Sequence, residues 1–355
     1  MNCLQCQTLP DISKKSGQLI VSCSVFELCT KMAIFLKSKN SAFHHEDAQT
    51  LIIDVDSFQP FLHQLFDAAV FNKLELEGIR VLFLEGTQIL TPSILKEMRT
   101  LQKFKDLMGA DQLSALITKG ALTTHFQPII DLKSNIIYGY ESLARGVSDD
   151  GSLIYPDKLF TWAREGDMLF YLDRACRESS LKSAAVKSIQ SKVFINFIPT
   201  AIYDPEHCLQ STVKWAKQLE FDPKNIIFEV IESDYVEDLD HLKRILDFYK
   251  SQGFMVALDD VGSGYSSLNM IAKLLPDIVK IDRAIIDQID TNDINQSIFR
   301  AITQIAHENN IIVLAEGIER AEELAFCSAN GADLAQGYYF GRPNAEPIRK
   351  LCLGE

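Results

Sequence analysis

Met255-Val-Ala-Leu-Asp-Asp260-Val-Gly-Ser-Gly-Tyr-Ser-Ser-Leu268 reads as a short apolar strand that delivers two adjacent carboxylates and then breaks into a Gly/Ser loop. Adjacent aspartates at a strand end repel, and a bound divalent cation is the commonest compensation. The same half of the chain repeats the strand, polar end and helix. Strand-like runs fall at Leu122–Ile130, Ile136–Leu143, Val193–Phe197, Ile226–Ile231, Met255–Leu258, Ile278–Ile281, Ile311–Ala315 and Leu334–Phe340. Helical periodicity lies at Asp167–Ile189, Gln210–Leu219, Leu239–Gln252, Ser266–Leu274, Asn295–Asn309 and Arg320–Ala329, with Gly253 and Gly331 where helices should end. Eight such runs alternating with helices predict an α/β fold of the (β/α)8 TIM-type barrel class. Asp131–Asn135 is too short to hold a crossover helix, so the first two runs should form an antiparallel hairpin. The expected barrel is therefore irregular, with an antiparallel first strand.

Before residue 115 the pattern differs. Gln18–Cys23, Thr50–Val55 and Ile79–Leu84 read as strands, and Val25–Leu36 and Pro60–Phe71 as helices, which together make a small α/β domain. From Pro92 to Leu116 apolar residues recur at three- and four-residue spacing (Ile94, Leu95, Met98, Leu101, Phe104, Leu107, Met108), predicting a connecting helix. The expected division is 1–90 as a regulatory or partner-binding module, 91–115 as the connector and 116–355 as the barrel. An amphipathic connector could carry a signal or a dimer contact, although a packed core helix is the simpler reading.

The chain has 355 residues, 47% of them hydrophobic, and a net charge of −13. That charge argues against a nucleic-acid polymer as partner, since phosphate neutralisation needs a basic surface. It leaves room for a small anionic nucleotide held by a local metal. No apolar run approaches the roughly 18 residues of a membrane span. Leu19–Leu36 follows Lys14 and Lys15 as a signal peptide's apolar stretch follows its basic start, but Glu27 and Lys31 interrupt it and no small-residue cleavage pattern follows; it reads as strand then helix. Eight scattered cysteines suit a reducing cytoplasm. Cys3 and Cys6 form half a metal or redox site that Cys23 and Cys29 could complete with zinc, but the second pair lacks the usual tight spacing, and incidental cysteines are the simpler reading. His44 and His45, beside Glu46 and Asp47, read as a solvated loop.

In a barrel the chemistry sits at the C-terminal strand ends. Here those ends carry Glu141, Asn196, Glu229 with Glu232, Asp259 with Asp260, Lys280, Glu316 and Gln336. Any one of them alone would be a helix cap or a surface charge. A polar residue at every one of these ends is not explained by stability. Carboxylate and amide oxygens suit Mg2+ or Mn2+, whereas zinc would prefer His and Cys, and no histidine belongs to the set. Two such ions in one site activate water and stabilise the leaving oxygen of a phosphodiester. A lysine among carboxylates can orient the nucleophile and offset charge on the phosphoryl group.

With these residues assembled, the stretch from about 116 to 351 resembles the EAL domain, the bacterial cyclic-di-GMP phosphodiesterase family. The motifs are Glu141-Ser-Leu-Ala-Arg145, preceded by Phe126-Gln-Pro-Ile129; Asn196-Phe-Ile-Pro199; Glu229-Val-Ile-Glu232; Asp259-Asp-Val-Gly-Ser-Gly-Tyr-Ser-Ser-Leu268; Val279-Lys-Ile-Asp282; Ala315-Glu-Gly-Ile-Glu319; and Gln336-Gly-Tyr-Tyr-Phe-Gly-Arg-Pro343. The resemblance implies that Glu141, Asn196, Glu229 and Asp259 ligate one Mg2+ or Mn2+ ion. It implies that Asp259 is shared with a second ion, held also by Asp260. Lys280 would hold or activate the attacking water, supported by Glu316, and Gln336 would orient water or substrate. Arg145 would pair with a substrate phosphate, and Gln127 and Pro343 would border the guanine pocket. Glu232 would anchor the 259–268 loop, which in this family couples dimerisation to metal binding. The implied reaction opens cyclic di-GMP to linear pGpG.

Two positions depart from the family pattern. Ser142 replaces the usual Ala at a tolerant position, and Val261 replaces the Phe of the usual Asp-Phe-Gly, which could loosen the loop. The rival readings are a receptor that binds cyclic di-GMP without cleaving it, and a protein-interaction module. Intact ligands at the strand ends argue against both.

Overall fold

The computed structural model describes residues 16–86, 90–95, 98–166, 168–202, 204–231, 238–262 and 267–350. They fall into two compact units, one drawn from Met1–Thr118 and Phe160–Met168, the other from Lys119–Leu159 and Leu169–Glu355.

The first unit contains β1 (Gly17–Cys23), α1 (Phe26–Ser38), β2 (Phe43–His45), β3 (Thr50–Val55), α2 (Phe58–Asp67), α3 (Lys73–Glu77), β4 (Ile79–Glu85), α4 (Pro92–Leu95), β5 (Arg99–Thr100) and α5 (Leu101–Lys119). Its antiparallel sheet runs β2-β3-β1-β4-β5. Alternation does the work here: Leu19, Val21 and Cys23 of β1 and Leu51, Ile53 and Val55 of β3 are buried with Met32, Leu36 and Leu62 of the helices. Two expectations change. His44 and His45, read as loop, form the edge strand β2 and stay exposed. The single helix expected over 92–116 is two helices separated by β5, because Arg99 and Thr100 pair with the edge of β4. Gly109 of α5 lies against Trp162, where a Cβ would come within 2.4 Å of the indole. Cys23 and Cys29 are buried free thiols that hydrogen-bond one another; burial first, then the neighbouring sulfur, pushes Cys23 up to about 12. Cys3 and Cys6 lie outside the described residues.

The second unit contains β6 (Leu122–Asp131), β7 (Ile136–Val147), β8 (Leu153–Ile154), α6 (Pro156–Glu165, which continues into the first unit), α7 (Leu169–Val186), β9 (Lys192–Phe197), α8 (Pro205–Cys208), α9 (Gln210–Gln218), β10 (Ile226–Ile231), α10 (Leu239–Ser251), β11 (Met255–Val261), α11 (Ser267–Leu274), β12 (Ile278–Ile281), α12 (Arg283–Ile286), α13 (Asp293–Glu308), β13 (Ile312–Ala315), α14 (Ala321–Ala329) and β14 (Leu334–Gln336). The sheet order is β6-β14-β13-β12-β11-β10-β9-β7-β8, and β6 also pairs with β7. Eight strands thus close a barrel, with β8 an added ribbon. β6 is antiparallel to both neighbours, whereas β7 and β9–β14 run parallel. The short 131–135 link forces this arrangement, as expected. Residues such as Ile226, Ile227, Phe228 and Val230 are buried on both strand faces because helices cover the outside. Gly253 (φ +85°) and Gly331 (φ +98°) end α10 and α14 in the left-handed conformation. No helix among the described residues is long and apolar enough to cross a membrane.

One expected strand is shorter than its apolar pattern. The run read as Leu334–Phe340 leaves the sheet at Gln336. Gly337 then passes so close to Ile318 that a Cβ would lie 2.0 Å from its carbonyl oxygen. The Ile318 N–H donates to the Gln336 carbonyl (3.0 Å), and the Tyr339 N–H donates to that of Ile318 (3.0 Å). The chain is turned across a neighbouring strand end and cannot extend.

Candidate active site

The period of two along each strand builds the site in layers. Ile129, Phe194, Ile227, Ala257, Ile278, Leu314 and Leu334 form an apolar plug inside the barrel. Two residues further toward the C-terminal rim stand Asn196, Glu229, Asp259, Lys280, Glu316 and Gln336. β6 runs the other way, so its rim residue, Gln127, lies two positions before Ile129. Glu141 of β7 pairs in register with Gln127 on one side and Phe194 on the other. The same alternation that packs the plug therefore lifts every polar side chain onto one floor.

Asp259 and Asp260 are neighbours, and strict alternation would send them to opposite faces. The β11–β12 register shifts between Leu258 and Val261, and Asp260 takes φ +55°. This left-handed residue in a bulge brings both carboxylates to the rim. Oxygens of Asp259, Asp260 and Glu316 lie within 4.8 Å of one another.

Lys280, almost fully buried, is the hub. Its Nζ lies 2.8 Å from Glu229, 2.9 Å from Asp259 and 2.7 Å from Glu316. Burial by itself would lower its proton affinity, but Asp259, Glu229, Glu316 and Glu141 together hold the ammonium well above its ordinary range. Burial, opposed by Lys280 and reinforced by Glu141 and Asp259, drives Glu229 well above the carboxylate range; Glu316 behaves alike. Asp260 is pushed up to about 7, by burial first and then by Asp259 and Asp282. On the other side Glu141 accepts from Asn196 Nδ2 (3.1 Å) and Gln336 Nε2 (2.7 Å). Gln336 Nε2 also donates to Gln127 Oε1 (3.2 Å), and Gln127 Nε2 to the Gly341 carbonyl (3.3 Å).

Five carboxylates thus face one ammonium. Glu229 Oε2 and Gln336 Oε1 are buried without a hydrogen-bond partner. Buried acceptors left open in a wholly oxygen-bearing cluster are what a hard divalent cation and its water would occupy, so the donor set fits Mg2+ or Mn2+. A cavity of about 280 Å3 opens above, lined by Gln127, Glu141, Asp259, Asp260, Lys280, Glu316 and Gln336. Asp282, Arg283, Glu319 and Tyr338 also line it. Sequence reasoning gave these four no role, although all lie in or next to the quoted motifs. Each lies two or three positions after a rim residue (Lys280, Glu316 or Gln336), and that spacing was the available signal.

Other site residues fall elsewhere. Arg145, four positions along β7 from Glu141, is buried with its Nε unpartnered and its guanidinium 5.1 Å from the Tyr155 ring; burial lowers its proton affinity. Arg145 and Pro343 are not in the cavity lining. Pro343 is half-buried, in the segment that returns to pair Asn344 with Phe126. Glu232 and residues 263–266 lie outside the described residues. Val261, in place of the family aromatic, is fully buried in the barrel's outer core. A groove of about 870 Å3 beside α9 and α10 holds none of the rim residues.

Comparison with known proteins agrees with this geometry. The chain is 30% identical over 243 residues to the cyclic di-GMP phosphodiesterase PdeR of Escherichia coli K12, a match covering 68% of this chain and 36% of that protein. It spans about a third of the length of the first curated relatives it matches. A standalone EAL protein from Vibrio cholerae O395, solved with c-di-GMP bound, is 39% identical over 65% of this chain and 95% of its own, with a TM-score of 0.59. BlrP1 of Klebsiella pneumoniae, in a manganese/cy-diGMP complex, covers 93% of this chain and 96% of its own at 18% identity and TM-score 0.58, a likeness of fold alone. Residues 110–343 match the EAL domain family, and with the rim layer in place the chain belongs to that family.

Proposed function

We propose that this protein hydrolyses cyclic di-GMP to linear pGpG at the barrel rim, lowering a bacterial second messenger. The observation that carries the proposal is the buried, oxygen-only cluster centred on Lys280, with acceptors of Glu229 and Gln336 left open. A receptor or a docking module has no need of such a cluster, which costs desolvation at every carboxylate.

Glu141, Asn196, Glu229 and Asp259 would hold one divalent ion, and Asp259 with Asp260 a second. Mg2+ or Mn2+ supplies Lewis-acid polarisation of water and phosphate when bound. Lys280 holds the attacking water on the rim and donates toward the charge that develops on the phosphoryl oxygens. Glu316 fixes the Lys280 ammonium by the shortest of its three contacts, 2.7 Å. Gln336, tethered through Nε2, presents Oε1 as an acceptor that aligns the water. Arg145 and Gln127 orient the nucleotide, Arg145 through a desolvated guanidinium whose open Nε suits a phosphodiester. Water adds across one P–O3′ bond, and the 3′ oxygen leaves with a proton.

The test is incubation of purified protein with cyclic di-GMP and Mg2+ or Mn2+, with chromatography for pGpG and an EDTA control. Metal-dependent pGpG that disappears in Glu141→Ala is the expected result. Binding without product would make the protein a receptor. Neither binding nor product would favour the interaction module. The homodimer through residues 259–268 and a regulatory role for residues before 115 belong to the same proposal; sedimentation of an active monomer would count against the dimer.

A further inference from the structure

We infer that Asp173, on the outside of the barrel wall, is a positioning residue that fixes the end of β9 and with it Asn196. The inference rests on the reading of the rim as a divalent-cation site.

Asp173 and Arg177 lie one turn apart on α7 and are 2% and 0% exposed. Burying an ion pair this completely is a poor way to gain stability, because apolar residues of similar volume commonly do as well. Its geometry points to another use. Oδ2 of Asp173 takes both Nε (3.0 Å) and Nη2 (2.7 Å) of Arg177, and Nη1 donates to the Thr212 hydroxyl. The guanidinium is thereby engaged on all three nitrogens, and Oδ1 is left for something else. It accepts the backbone N–H of Ile198 at 2.8 Å.

Ile198 is the residue at which β9 stops being a strand. The ladder to β10 ends at Phe197 and Val230, and a 3-10 turn begins at Pro199. The Ile198 N–H thus lies just beyond the last ladder pair, at a buried residue. Asp173 is its acceptor. Asn196 lies two residues earlier on the same side of the pleat, with its Nδ2 on Glu141. Beyond Asn196 a single ladder pair separates it from the free end of the strand. The Asp173 carboxylate clamps that end, and Arg177 with Thr212 clamps the carboxylate. Partners of this kind behind a metal ligand change affinity by about 10- to 100-fold when removed.

Two double variants of the full chain isolate the clamp. Asp173→Leu with Arg177→Met replaces the pair by apolar side chains and removes the Ile198 acceptor. Asp173→Asn with Arg177→Met also abolishes the ion pair but keeps an amide oxygen for that N–H. Mn2+ binding is read by calorimetry, alongside the unfolding midpoint and, for cyclic di-GMP, kcat and KM separately. The first variant should lose about 10- to 100-fold in Mn2+ affinity and lose kcat with little change in KM; the second should recover most of both. If the first does not fold, Ile198→Pro deletes the donor and leaves the ion pair, and it should show the same loss. Equal, wild-type Mn2+ affinity in both double variants, or in Ile198→Pro, overturns the inference alone. A wild-type chain that binds no Mn2+ overturns the cation reading, and the inference with it.

Discussion

At the scale of the residue, the site turns on one ammonium held 2.7–2.9 Å from three carboxylates. Lys280 partly offsets the burial and mutual repulsion that hold Glu229 and Glu316 above the carboxylate range. Removing it leaves Glu229, fully buried, without its cation. Lys280→Met should therefore destabilise the metal-free protein by about 3–5 kcal/mol, measured by urea unfolding at pH 8. The sign with pH follows from the raised affinities of Glu229 and Glu316. Groups held above their unfolded values contribute stability in the protonated form, which is lost as pH rises. The deficit of the variant should accordingly shrink at pH 6. A deficit that grew on acidification would show that Lys280 is not the counter-ion of these groups.

At the scale of the element, the rim depends on how strand ends are tied to one another. Gly337 leaves β14 against Ile318, which follows Glu316 just past the end of β13, and the two segments exchange hydrogen bonds there. A Cβ at 337 would meet backbone atoms of Ile318 at 2.0 and 2.4 Å, so the segments must part. Gln336 and Glu316 would then separate, although neither has been changed. Gly337→Ala should lower kcat by about 100-fold through misplacement of this order, with KM less affected. An unchanged kcat would mean that the tie does not set the rim geometry. The register shift at Asp259 and Asp260 acts in the same way within one strand: it trades regular pairing for two carboxylates on one side.

At the scale of the whole molecule, ligand binding and folding are linked through these titrating groups. Asp260 is raised to about 7 from 3.8, so its contribution to stability is present at low pH and is lost between those values as pH rises. A cation that replaces the proton reverses this loss. Mn2+ affinity should rise by about tenfold per pH unit below 7 for this one displaced proton and flatten above it. The Mn2+-induced rise in unfolding temperature, seen by calorimetry against an EDTA control, should be larger at pH 8 than at pH 5.5. Equal shifts at the two pH values would remove Asp260 from the ligand set.

Much of this was legible in the amino-acid order because strands have a strict period. Apolar residues followed two places later by Asn196, Glu229, Asp259, Lys280, Glu316 or Gln336 announced both an inward-facing core and a polar rim, and a link of five residues between the first two strands required an antiparallel pair. Helix ends at Gly253 and Gly331 were equally plain, since glycine suits the left-handed residue that stops a helix. What local pattern did not contain is distance. The connector was read as one helix because its apolar spacing is helical throughout; only the free edge of β4 draws Arg99 and Thr100 into a strand. The aromatic run after Gln336 looked extended, and only the proximity of Ile318 bends it away. The clamp of Asp173 on Ile198 joins residues 25 positions apart that share no motif. Residue types and their period along each strand are properties of the chain itself; which carboxylate meets Lys280, how Asp260 is turned, and what holds β9 in place are set when the barrel closes and brings separate strand ends within a few ångströms.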